Sequence, residues 1–152
     1  MNRLRSQFAK LVTLVVTLAV LPGLVSAENC SKQVPSLMDK SLIVLTGKIT
    51  KVGPAPGFWS EVLPAIQDVQ YDVLAVYKGK DPGKQITVSY KIVRGSRLVE
   101  KHPPGLSRQY FSEGKELVLF LHTPAQDIGD ECAAQVRTPE LEKQIQDLQK
   151  TH

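Results

Sequence analysis

The chain has 152 residues, 19 of them lysine or arginine and 15 aspartate or glutamate, for a formal charge of +4. Arg3, Arg5 and Lys10 all fall in the first 27 positions, which carry no acid, so without that segment the charge is +1. The basic balance is therefore partly an export signature and is not a general nucleic-acid footprint. Residues 28–152 make one domain of ordinary size, long enough for one real core.

The N-terminus has the build of a signal peptide. A basic start is followed by the apolar run Leu11 to Leu21, then by Pro22-Gly23 and by Val25-Ser26-Ala27, small at the positions signal peptidase reads. A spanning helix needs about 20 apolar residues, more than this run provides before Pro22. Residues 1–27 are therefore predicted to be removed after Ala27, leaving a secreted or periplasmic protein with no membrane attachment. A lipid anchor would need its cysteine at the cleavage point, whereas Cys30 follows Glu28 and Asn29.

The two cysteines, Cys30 and Cys132, both lie in the exported part. An even pair in an oxidising compartment reads as one disulfide; the alternatives are free thiols or half a metal site. No second Cys or His stands at ligand spacing from either. A bond closing about 100 residues contributes ~4.7 kcal/mol at the upper end, on the chain-entropy account.

Ser31 to Lys40 is mixed, and its second half permits a single helical turn from Pro35. A first strand is predicted over Ser41 to Gly53, with Gly47 marking a bend or a close backbone approach. Pro54 to Pro64 is a proline-bounded loop that carries Phe58 and Trp59. This pair is either a plug over one end of the fold or an exposed contact for a partner.

Val69 to Tyr90 is the clearest hairpin. Val69, Tyr71 and Val73 alternate on one face, as do Ile86, Val88 and Tyr90, and residues 78–84 hold the turn formers between them. After Val73 the apolar phase slips by one, to Leu74 and Val76, which predicts a β-bulge.

A long loop follows from Arg94 to Gln109. With Lys91 it gathers Arg94, Arg97, Lys101, His102 and Arg108 against one acid, Glu100. It is either a solvated loop or a docking surface for an acidic protein, polysaccharide or phosphate-bearing surface. Glu116 to Thr123 is predicted as a central strand and Glu131 to Arg137 as the last. Thr138 then caps a helix with Pro139 first, Glu140 and Glu142 in its opening turn, and Leu141, Ile145 and Leu148 in one stripe.

These elements carry a family resemblance. Gly47-Lys48-Ile49, Val76-Tyr77-Lys78-Gly79, Ile86-Thr87-Val88, Phe111 to Glu116 with Leu119-Phe120-Leu121, and Cys132 together resemble the tissue-inhibitor-of-metalloproteinases-like, or netrin-module-like, domains. The likeness covers roughly Cys30 to Arg137 and takes the form of a compact two-cysteine version. It implies a mainly β fold: a five-stranded OB-type Greek-key barrel over 28–137, with a C-terminal helix over 138–152 packed on it. Those inhibitors chelate zinc through a mature N-terminal cysteine, with a second cysteine close behind. Here Cys30 is third after the predicted cut and no second early cysteine follows, so that mechanism is not expected.

No catalytic arrangement is evident. His102, His122 and His152 are not spaced as zinc ligands, and there is no G-x-S-x-G motif or glycine-rich phosphate loop. The expectation is a non-enzyme without a cofactor that binds a protein partner, such as a protease or an envelope or extracellular protein. The candidate contacts are Phe58, Trp59, Arg94, Arg97, Lys101, His102 and Arg108. An oligosaccharide or anionic-polymer binder and a structural envelope module are the alternatives, and no nucleic-acid partner is expected.

Overall fold

The computed structural model describes residues 22–56, 65–93, 95–101, 103–122, 127–128 and 130–151. Its elements are α1 (Pro22–Lys40), β1 (Ile43–Val52), β2 (Ala65–Lys78), β3 (Gln85–Ile92), β4 (Val99–Glu100), β5 (Gly105–Leu106), β6 (Glu116–Leu121), β7 (Asp127–Ile128), β8 (Ala134–Val136) and α2 (Pro139–Thr151).

The five expected strands are β1, β2, β3, β6 and β8, and they form one antiparallel sheet in the order β3-β2-β1-β6-β8. The short β7 adds a parallel pairing at the outer edge of β3, and β4 and β5 form a separate ribbon. Among the described residues no ladder joins β8 to β7 or β3, so the sheet is not closed into a barrel.

The slip predicted after Val73 is a real bulge. Thr46 pairs with Ala75 and Gly47 with Val73, so Leu74 has no partner across the ladder and its side chain is exposed. A second skip, at Tyr77, lies between Val44↔Lys78 and Leu45↔Val76. Each extra residue bends β2 and increases its twist. Gly47 is the predicted close approach: a Cβ there would stand 3.0 Å from Cβ and Cδ1 of Tyr71, whose side chain packs over the missing one. Gly79, at φ 87°, closes β2, and any side chain there would run into the Leu42 carbonyl.

The first helix departs from expectation. A single turn was expected from Pro35, whereas α1 is continuous from Pro22 and runs across the Ala27–Glu28 bond. Cys30, Val34, Leu37 and Met38, spaced i, i+4, i+7 and i+8, are all buried. Proline in the middle of so short a stretch hid that stripe. Pro35 also has no N–H for the carbonyl of Ser31, and Gln144 of α2 supplies one, Nε2 donating to Ser31 O at 3.0 Å. At the other end every carbonyl of the last turn is met: Leu37 O by the Ser41 amide, Met38 O and Asp39 O by Lys78 Nζ at 2.6 and 3.2 Å, and Lys40 O by His122 Nδ1 at 3.1 Å. A carbonyl only accepts, so His122 carries a proton on Nδ1.

The second helix begins as read. Thr138 Oγ1 accepts the Leu141 amide at 3.2 Å, Leu141 and Ile145 are buried, and Leu148 packs against the core. Cys30 and Cys132 are joined, with Cα atoms 5.2 Å apart, which ties α1 to the turn before β8. No helix of the described residues is long and apolar enough to cross a membrane.

Candidate functional site

The loops of interest leave the sheet from one end, where the antiparallel register brings together the end of β1, the start of β2 and the end of β3. A single side chain bonds to both loops. Gln67 lies on the inward phase of β2 with Val69 and Tyr71 and is 5% exposed. A buried amide must satisfy both its halves. Its Nε2 donates to the carbonyl of Gly53 at 2.9 Å, and its Oε1 accepts the amide of Leu106 at 2.8 Å. Gly53 opens the stretch that leads to Phe58 and Trp59, and Leu106 belongs to the basic loop. A Cβ on Gly105 would lie 3.0 Å from Cβ of Ala55, so the β4–β5 ribbon touches the chain just after β1.

The basic loop is built on Arg97. Its Nη2 donates to the carbonyl of Glu131 at 2.5 Å and reaches Ala134 O at 3.5 Å, while its own amide donates to Glu131 Oε1 at 3.3 Å. The guanidinium carbon lies 5.6 Å from the centroid of the Tyr110 ring, a cation–π contact. Glu100 Oε1 accepts the Arg108 amide at 2.8 Å, and the Ser107 amide donates to Leu98 O at 2.8 Å, which folds the loop back on the β4–β5 ribbon. The side chains of Lys101 and Arg108 stay exposed.

Beneath the loop the packing is aromatic. Tyr90 meets Phe111 edge to face at 4.8 Å, and its phenol oxygen lies 2.5 Å from that of Tyr71. Burial raises both phenols above their ordinary pKa, so both stay neutral and can share one hydrogen bond. A cavity of about 70 Å³ opens between this floor and the loop, lined by Lys91, Ser96, Asp130 and Glu131 among others.

The structure thus separates the predicted contacts. Lys101 and Arg108 point outward on one loop, whereas Arg97 is turned inward to hold that loop. Phe58, Trp59, Arg94 and His102 lie outside the described residues. Sequence reading missed Gln67 and Glu131. Gln67 had a visible cue, an amide on the apolar phase of a strand; Glu131 had none, since its partner lies 34 positions away. Among the described residues no three His, Cys, Asp or Glu side chains come together as a metal ion would require. Compared with known protein families and with curated proteins, the chain matches neither a family model nor a curated sequence.

Proposed function

We propose that this chain is an exported binding module that engages a protein partner through the loops at the Gln67 end of the sheet, without catalysis. The observation that carries this reading is the double hydrogen bond of Gln67, which ties Gly53, at the start of one stretch, to Leu106 in the other. Phe58 and Trp59 on one stretch offer aromatic anchors and Arg108 on the other offers a guanidinium, residue types enriched in protein interfaces, while Lys101 adds exposed charge that steers a partner. An acidic partner is favoured by the charge of the second stretch.

The fold reading that goes with this is an OB-type barrel resembling the metalloproteinase inhibitors in shape but not in zinc chelation. Its support is that residues 127–128 and 134–136 lie on opposite edges of the sheet, β7 parallel to β3 and β8 antiparallel to β6. One strand divided between two edges is how such a barrel approaches closure. The signal peptide and its removal after Ala27 belong to the same proposal, and N-terminal sequencing of the secreted protein checks them.

The test of function is capture of partners by the purified mature domain, comparing wild type with a Trp59→Ala/Lys101→Ala/Arg108→Ala variant. The expected result is loss of a captured acidic protein with the melting temperature unchanged. Retention of every captured protein would place the surface elsewhere. Binding that instead follows an anionic glycan, and falls with salt in a direct titration, would favour the polysaccharide alternative.

A further inference from the structure

The turn that carries Cys132 is also the turn on which the basic loop is hung. It is wound on itself: Asp130 Oδ1 accepts the Cys132 amide at 2.8 Å, Asp130 O accepts the Ala133 amide at 3.0 Å, and Gln135 Nε2 donates to Cys132 O at 2.9 Å. Arg97 bonds to this turn on either side of the cysteine, at Glu131 O and Ala134 O. The other half of the disulfide, Cys30, is fixed on α1 with Val34 and Leu37 in the core. The bond thus pins the turn to a helix, and the pinned turn presents its carbonyls to Arg97.

We infer that the disulfide arms the basic loop: formation of the Cys30–Cys132 bond sets the turn at 130–134, and only the set turn gives Arg97 the acceptors on which residues 95–101 and 103–110 fold. This rests on reading that loop as part of the binding surface. In the step itself the two thiols form an S–S bond, giving up two protons and two electrons to a disulfide oxidant, which leaves as the dithiol. Cys30 and Cys132 are then 3% and 6% exposed, so a reductant has little access to them. The device is set once and does not cycle: a chain still reduced carries the loop residues but not their arrangement, and oxidation completes the surface.

The test needs no partner, so it stands apart from the binding assay. Amide hydrogen exchange is followed in the oxidised mature protein and in a Cys30→Ala/Cys132→Ala variant, at labelling times short enough that β1 and β6 amides remain protected. The reporters are the amides of Val99, Ser107 and Arg108, all hydrogen-bonded within the loop. They are expected to exchange at least tenfold faster in the variant while the sheet is still protected. Unchanged loop rates, or loop and sheet accelerating by one common factor, would overturn the inference.

Should the cysteine variant not fold, the coupling is read from its other side, because it is reciprocal. Arg97→Ala keeps both cysteines and is expected to lower several-fold the dithiothreitol concentration that reduces the bond. Ile86→Ala, which weakens β3 instead, serves as the control. Equal midpoints for Arg97→Ala and the control would show that Arg97 does not couple loop to disulfide.

Discussion

The two ends of this molecule are held in different ways. At the end where α1 stops and β2 turns into β3, long side chains complete the backbone: Lys78 and His122 meet the last carbonyls of α1, and Gly79 lets the β2 exit press against Leu42. Each contact there joins two regular elements or residues directly beside them. At the other end two stretches with little regular structure depend on two side chains, Gln67 and Arg97, that reach across to backbone groups. An end secured by many elements is scaffold. An end secured by two side chains is adaptable in sequence and sensitive to its fasteners, which is what a binding surface on a rigid sheet requires.

The largest test of this contrast removes the covalent tie between α1 and the turn that holds Arg97. Replacing Cys30 and Cys132 by Ala is expected to cost between about 2 and 4.7 kcal/mol, since a loop of about 100 residues is released. Denaturant unfolding measures the cost. Next, Gly79→Ala at the scaffold end should cost about 3 kcal/mol, from a positive φ that a Cβ disfavours and from the collision with the Leu42 carbonyl. Gly83→Ala is the comparison. Its φ is 99°, yet nothing lies within 4 Å of the added carbon, so its cost should be clearly smaller. Equal losses at the two glycines would mean that the close packing at the scaffold end adds nothing.

The difference between the ends also explains what the sequence disclosed. The first bulge of β2 was legible, because period-two alternation breaks after Val73 and the break is the bulge; the second, at Tyr77, left no such mark. The capped helix α2 was legible because Thr138, Pro139 and the Leu141 stripe are local signals. The length of α1 was not. Its buried stripe straddles Pro35, and the group that compensates for the proline, Gln144, lies 113 positions from Ser31, whose carbonyl it meets. The loop end was only half legible: clustered charge marked the basic loop, but nothing local distinguished Arg97, which folds it, from Lys101 and Arg108, which face outward. Pairings across the chain are set by the fold and leave no periodic trace.

At the loop end, Gln67→Ala should cost roughly 2 kcal/mol, because it leaves the Leu106 amide and the Gly53 carbonyl without their buried partner. Its signature should be local. Exchange of the Leu106 amide is expected to rise more than that of β1 and β6 amides, whereas Gly79→Ala should leave the loop amides close to wild type. A uniform rise across the sheet in Gln67→Ala would mean that the two stretches are not fastened separately and that the contrast between the ends is false.

The smallest expected effect lies at the scaffold end and depends on pH. Glu142 Oε1 accepts from the phenol of Tyr77 at 2.7 Å and from Arg137 Nε at 2.8 Å, and Arg137 also reaches Glu116 at 2.5 Å. The phenol, foremost, and then the guanidinium hold the carboxyl of Glu142 below its ordinary value of 4.5. A carboxyl whose folded pKa is depressed adds stability above its unfolded pKa and loses it as pH falls through the folded value. The melting temperature of wild type should therefore exceed that of Glu142→Gln at neutral pH, with the gap closing as pH drops from about 4.5 downward. Arg137 is exposed and Glu142 partly so, which keeps the gap small and makes it shrink with added salt. Tyr77 also bonds to the buried Thr46, so Glu142→Gln tests whether this network holds α2 on the sheet through charge. A gap constant from pH 7 to 3 would assign that hold to packing through Leu141, Ile145 and Leu148 and to neutral hydrogen bonds such as that of Gln144 to Ser31, without help from the ionisation of Glu142.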